Sequence, residues 1–506
     1  MHEDAMSTNR RNFLRGIAGA ATVAAISASA EEIDARAATR KTPLADDPLR
    51  PQYHLLPAKN WMNDPNGPIY WKGKYHMFFQ YNPKDAVWGD MHWAHSVSED
   101  MIHWKHLPIA MAPTPGGPDQ EGVFSGTAFV QEGRVGMMFT GVKTSSSEEA
   151  TIKDQALRET QCLAIANDDD LSSFSKLPQP VMSSPPKELQ VNGFRDPSPW
   201  RQGEWWYTPI GSGIANTGGA ILLYRSRDLH VWEYVGIFAQ REPTFEAFLP
   251  WDVWECPEFF ALGDRHVLIF STMGKAFWQT GRLDEKKMVF HADKAGILDY
   301  GSFYAPKTQL DAHGNRILWG WIQEARPTSE YQASGWAGMM SLPRVMTIAP
   351  DGTLRYRVAD AAKELRRAEQ RFHGVSGASL SIADCCGEAL YRLSKRFGPF
   401  GLDIKGSRED KTWMSIGFDP AHPDQILIDS RPLKVEPTVQ DQLEIQVYID
   451  GSVIELLIDH QIAWTKRFYY PGEVQSATLH WRGSADVLKE VTLWTLDPIT
   501  RDRLTT

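Results

Sequence analysis

Three carboxylates sit in tightly constrained stretches of this sequence. Asp64 lies in Trp61-Met62-Asn63-Asp64-Pro65-Asn66-Gly67, Asp196 in Gly193-Phe194-Arg195-Asp196-Pro197, and Glu255 in Trp254-Glu255-Cys256-Pro257-Glu258. A proline after Asp64 and after Asp196 biases each aspartate toward extended backbone. Asn66-Gly67 supplies the residue types of a tight turn at a strand end. Arg195 favours an ionised Asp196, whereas the apolar neighbours Trp251, Val253 and Trp254 favour a protonated Glu255. Acetal hydrolysis needs that division: an acid for the leaving oxygen and a second carboxylate to meet the developing cation. Trp61 and Asn63 add an aromatic face and an amide, groups that hold hydroxyl-rich ligands. Each stretch also has a plain structural reading: a self-capping turn, a salt bridge at a turn, an edge-strand glutamate. The chemistry requires the fold to bring all three together.

The elements that must do so are short strands. From about residue 50 to 355 apolar segments such as Tyr75–Phe79, Val135–Phe139, Trp205–Tyr207 and His266–Phe270 are broken by Gly, Pro, Asn and Asp, with no sustained 3.6-residue period. Ser98-Glu99-Asp100-Met101-Ile102-His103-Trp104 recurs as Ser226-Arg227-Asp228-Leu229-His230-Val231-Trp232, with a degenerate copy at Asp170-Leu171-Ser172-Ser173-Phe174. At roughly 60 residues per unit this region holds about five units, the pattern of a five-bladed β-propeller, unless the copies are chance likenesses among hairpins. Strands of different blades converge on one axis, where residues far apart in sequence can meet. Residues 356–372 favour helix and read as a linker. In 373–506 alternation returns (Leu443, Ile445, Val447, Ile449), with a hairpin turn at Asp450-Gly451. This is a C-terminal β-sandwich without a carboxylate cluster of its own. The chain is thus expected to be all-β.

Composition narrows the function classes. The 506 residues carry 53 Lys+Arg against 63 Asp+Glu, with no basic run beyond the N-terminus, which argues against nucleic acid or a membrane surface as partner. Arg10-Arg11-Asn12-Phe13-Leu14-Arg15, the small apolar run 16–28 and Ala28-Ser29-Ala30 have the form of a twin-arginine export signal. Residues 1–37 are read as that signal and the tail after it. The expected destination is periplasmic or extracellular, with no membrane association once the signal is cleaved. The four cysteines, two of them adjacent (Cys385 and Cys386), do not form a disulfide framework.

Taken together, the motifs resemble glycoside hydrolase family 32, the β-fructofuranosidases. The resemblance runs through Trp-Met-Asn-Asp-Pro-Asn-Gly, Phe79-Gln80-Tyr81-Asn82-Pro83, Trp88-Gly89, Phe124-Ser125-Gly126, Phe-Arg-Asp-Pro and Trp-Glu-Cys-Pro, and covers essentially everything after residue 50. It implies a five-bladed propeller plus a β-sandwich and a retaining mechanism without metal or organic cofactor. In it Asp64 is the nucleophile, Glu255 the acid/base, and Asp196 the stabiliser of the transition state through fructose hydroxyls. Trp61, Asn63, Gln80, Trp88, Phe124, Ser125, Arg195, Tyr304 and Trp336 would line the fructose site. The implied substrates are sucrose and inulin- or levan-type fructans, cleaved from the chain end by a monomer or simple homo-oligomer. A fructosyltransferase would use the same three acids, and a non-catalytic fructan-binding propeller would keep the aromatics and lose an acid. Departures such as Phe78-Phe79-Gln80 bear on substrate range. His92-x-x-His95 and His103-x-x-His106 are not read as metal sites, because strand residues three apart point to opposite faces.

Overall fold

The computed structural model describes residues 44–241, 252–374, 377–394, 398–407, 411–435, 442–470 and 476–500. The export signal read at residues 1–37 lies outside them. Five antiparallel sheets form the blades of a propeller. Their innermost strands are Asn60–Trp71, Gly122–Gln131, Val191–Arg195, Glu255–Leu262 and Phe303–Leu310, each leading outward through successive strands. The innermost strand of blade 1 packs against those of blades 2 and 5, and that of blade 4 against blade 5. Trp336–Ala337, between the second strand of the fifth blade and its outer strands, pairs in parallel with Asn60–Trp61 and joins last blade to first.

The sequence repeat marks equivalent corners of the blades. Ser98-to-Trp104 and Ser226-to-Trp232 both connect the third strand to the outermost one. In each, the serine hydroxyl accepts from the backbone N–H three residues on, at 2.9 Å. In each, the indole donates to the carbonyl three residues back, Trp104 to Met101 and Trp232 to Leu229. Leu171 turns blade 2 at the same place, with φ +54° beside +70° at Met101 and +66° at Leu229.

A second regularity bears on the site. Pairing of the innermost strand slips between Met62 and Pro65, Phe124 and Gly126, Glu255 and Glu258, and Tyr304 and Lys307. Such bulges re-aim side chains, and in four blades a proline stands at that place: Pro65, Pro197, Pro257 and Pro306. A missing N–H is tolerated there because the innermost strand is a sheet edge. The structure corrects the reading of Asn66-Gly67 as a tight turn. Both lie within the strand Asn60–Trp71, and Gly67 (φ +48°) lets the bulge approach blade 2, where a Cβ would meet Ala128 N at 2.7 Å.

The C-terminal sandwich packs two six-stranded sheets over one apolar core. Its first strand, Arg366–His373, corrects the helical reading of 356–372: only Asp360–Leu365 is helical, as a short 3-10 turn. Helix propensity yields there to pairing with Leu488–Leu496 and to the ion pair of Arg366 with Glu388. Propeller and sandwich meet through a fully buried ionic joint. Arg344 of blade 5 pairs with Glu455 (2.5 Å) and with Asp299 (2.9 Å), and Thr465 donates to Asp299. His54, ahead of blade 1, bridges Asp450 and Glu455 at 2.7 and 2.9 Å. Burial disfavours charge on His54, but its two carboxylate partners prevail and raise its pKa to about 9. Burial likewise opposes an ionised Glu455, yet Arg344 and His54 bring its pKa down to about 2.

Candidate active site

Asp64, Asp196 and Glu255 come from the innermost strands of blades 1, 3 and 4, each at the bulge or next to it. Asp64 is half-buried; the charge of Glu255 bears on it, and its own charge bears on Asp196. Ser125 Oγ donates to its Oδ2 at 2.7 Å and Asn63 Nδ2 to its Oδ1 at 3.1 Å. Burial raises its pKa above the ordinary aspartate range, these donors pull it back, and the charge of Glu255 adds to the rise.

Asp196 departs from the sequence reading in two respects. Its φ is +64°, so Pro197 does not hold it extended; left-handed backbone at a non-glycine residue is a strain that site residues carry when their surroundings over-determine them. Its N–H donates to Thr140 Oγ1 and its Oδ2 accepts from the Cys256 N–H, both at 2.8 Å. Nor does Arg195 keep it readily ionised. Burial is the largest influence, Arg195 opposes it, and the charges of Glu255 and Asp64 add to it, so the pKa rises to about 7.

Arg195 pairs instead with Glu255 Oε1 at 3.2 Å and with Glu159 Oε1 at 2.5 Å. On the other side of Glu255, Tyr304 Oη donates to Oε2 at 2.5 Å. Trp254, expected beside Glu255, stacks on Phe270 with ring centroids 3.9 Å apart; Trp251 lies outside the described residues.

The remaining expected residues divide into those at the acids and those behind them. Asn63, Ser125, Arg195 and Tyr304 touch the acids directly. Trp88 and Phe124 meet edge to face, both partly exposed. Gln80 donates to the Val123 carbonyl and so fixes the strand that presents Ser125. Trp61 is buried between Trp321 and Tyr331, and its indole donates to Asn63 Oδ1 at 2.7 Å, so it orients Asn63 from behind. Trp336 is a correction. Its fully buried indole donates to Asp47 and lies under the guanidinium of Arg326, with Arg467 of the sandwich over the same ring. Arg50 also lies over the ring, so Trp336 belongs to the joint between the domains, where its face meets guanidinium groups. The histidine pairs diverge as well: His95 is buried against His76 and Phe78, and His92 bonds the Asp90 carbonyl.

Sequence reasoning missed Glu159. It is fully buried in blade 2, accepts from Thr151 Oγ1 and the Phe194 N–H at 2.8 Å each, and holds Arg195. Gln161, two residues on, donates to the Phe194 carbonyl at 2.7 Å. The available signal was the polar run Arg158-Glu159-Thr160-Gln161 at the start of the strand Leu157–Ala166, in which Glu159 and Gln161 share a face: a sheet face that buries polarity must have partners for it.

A model of the glycosyl hydrolases family 32 N-terminal domain matches residues 54–357, and one of the family 32 C-terminal domain matches residues 362–495. The chain belongs to glycosyl hydrolase family 32. Among its relatives within family 32 is the sucrose-6-phosphate hydrolase of Escherichia coli, 31% identical over 482 residues, 88% of this chain and 94% of that one. The raffinose invertase of Escherichia coli is 31% identical over 476 residues, covering 88% and 95%. Among solved structures of family 32, a β-fructofuranosidase of Bombyx mori superposes with a TM-score of 0.75 at 27% identity, covering 93% of this chain and 98% of that one. Fructan 1-exohydrolase IIa of Cichorium intybus gives 0.76 at 24% identity, covering 89% and 98%, and supports the fold. Family 32 membership makes the chain a β-fructofuranosidase-type glycosidase.

Proposed function

We propose that this protein is a retaining, exo-acting β-fructofuranosidase that releases terminal fructose from sucrose or fructans. The observation that carries the reading is the convergence of three carboxylates from three blades, each with different partners. Asp64, held by Ser125 and Asn63, attacks the anomeric carbon. Glu255, between Arg195 and Tyr304, protonates the leaving oxygen and then deprotonates the water that releases fructose. Asp196 accepts from fructose hydroxyls, and a hydroxyl donor there relieves the crowding of three negative charges. The names of relatives support a fructoside substrate, and the Bombyx mori and Cichorium intybus proteins have been captured with sucrose and 1-kestose. Export by the twin-arginine route to the periplasm or beyond is part of the proposal and rests on residues 10–30.

The test is incubation of the purified protein with sucrose, sucrose 6-phosphate, inulin and levan, with products identified at early times. Free fructose, released first as the β-anomer, is expected from at least one substrate. Oligosaccharides larger than the substrate would mean a fructosyltransferase, and short oligofructans an endo-acting enzyme. Full activity in Asp64→Ala would overturn the reading.

A further inference from the structure

Cys256 lies in direct contact with two of the three acids, and the mechanism above does not use its thiol. Its φ of +49° sets it at the bulge of blade 4, with Glu255 before it and Pro257 after it. The backbone N–H holds Asp196 Oδ2, and Sγ stands 3.6 Å from Asp64 Oδ2, within reach of an S–H···O bond. Ser125 Oγ donates to that same oxygen, while Oδ1 is met by Asn63.

We propose that Cys256 is a positioning residue: its thiol donates to Asp64 Oδ2 and, with Ser125, fixes the nucleophile so that Oδ1 is the oxygen that bonds to the anomeric carbon. The role requires a protonated thiol. Sγ is buried, and burial, aided by the charges of Asp196 and Asp64, pushes the thiol well above its usual pKa. A donor bonded to the charged form of Asp64 favours that form. Here it opposes the burial of Asp64 and the nearby charges of Glu255 and Asp196, with Arg195 across the site on Glu255. A polarisable S–H is a weaker donor than a hydroxyl, which leaves Asp64 more nucleophilic than a second serine would.

The inference rests on the reading of Asp64 as nucleophile, and its test separates the two. In the parent, Cys256→Ala and Cys256→Ser, kcat/KM on the hydrolysed substrate is measured across pH, with thermal unfolding as the control for folding. Cys256→Ala is expected to move the acid limb to higher pH and to lower kcat/KM at pH 5 by roughly threefold to tenfold. Cys256→Ser, which keeps a donor, is expected to restore the acid limb. A parental acid limb in folded Cys256→Ala overturns the thiol's role, as does a folded Cys256→Ser that behaves like the alanine variant. If Cys256→Ala does not fold, Cys256→Ser alone decides: an acid limb at or below the parental pH supports the role, and one above it overturns it. Undiminished hydrolysis by Asp64→Ala would instead overturn the underlying reading.

Discussion

Removing a charge from the acid cluster is expected to stabilise this protein while abolishing its activity. In Asp196→Asn the buried carboxylate is replaced by an amide whose oxygen still accepts from the Cys256 N–H. The pKa of Asp196 rises from 3.8 to about 7 in the folded protein. That difference of about three units, at 1.36 kcal/mol each, corresponds to about 4 kcal/mol held against the folded state at high pH. Because Asp64 and Glu255 share the repulsion, and any of the three relieves it by taking a proton, about half, ~2 kcal/mol, should survive as a net gain. The sign follows from linkage. Below pH 3.8 both states hold the proton. Between pH 3.8 and about 7 only the unfolded chain releases it, and stability drains away. Above about pH 7 the loss is complete. Asp196→Asn should therefore melt a few degrees above the parent at pH 8 and near it at pH 4.5, with kcat/KM lower by at least about a hundredfold. Calorimetry at the two pH values, with activity on the preferred fructoside, tests this. A variant that melts at or below the parent at pH 8, or gains equally at both pH values, would refute the reasoning.

Other perturbations probe the groups behind the acids and the domain joint. Tyr304→Phe removes one hydrogen bond to a charged carboxylate, worth about 1.5–3 kcal/mol, so steady-state kinetics should show kcat/KM falling roughly 10- to 100-fold. Glu159→Gln loosens Arg195 without touching substrate; kcat should fall about tenfold or more with little change in KM, and an unaltered kcat would mean that Arg195 needs no anchor. Arg344→Met leaves Asp299 and Glu455 buried without their cation, a cost of about 3–5 kcal/mol, which should appear as a lowered melting temperature. His54 contributes stability that is present below its ordinary pKa of 6.5 and lost as pH rises through about 9. The parent's melting temperature should fall over that window, and His54→Gln should remove this part of the profile.

The acids were legible in the sequence because each motif is local: the bulge that aims the side chain is written as a proline beside it. The propeller was legible through the Ser-x-Asp corner, whose hydrogen bonds close within a few residues. What escaped was non-local. For Glu159 the neighbouring sequence hints only that a polar face is buried and does not name its partners, since Thr151, Phe194 and Arg195 come from separate stretches of chain. Trp336 stands in a familiar motif, but its surroundings are set by Asp47, Arg326 and Arg467, from three different parts of the chain. Residues 366–373 have the composition of a helix and the neighbours of a strand, and an available sheet edge outweighs intrinsic propensity. The pKa of Asp196 was misjudged because its burial, with the charges of Glu255 and Asp64, outweighs the adjacent Arg195, and neither is visible in the local sequence.

The parallel pairing of Asn60–Trp61 with Trp336–Ala337 has a consequence for biosynthesis. The segment presenting the nucleophile emerges early from the ribosome, yet its flanking partner is translated only part-way through the fifth blade, and the Asp450 and Glu455 that hold His54 come later still. A stalled or truncated chain thus cannot finish the wall around Asp64, however well its early blades form. Hydrolytic competence should arrive abruptly, near the end of translation, so that incomplete chains are inert toward the sugars of the cell that makes them.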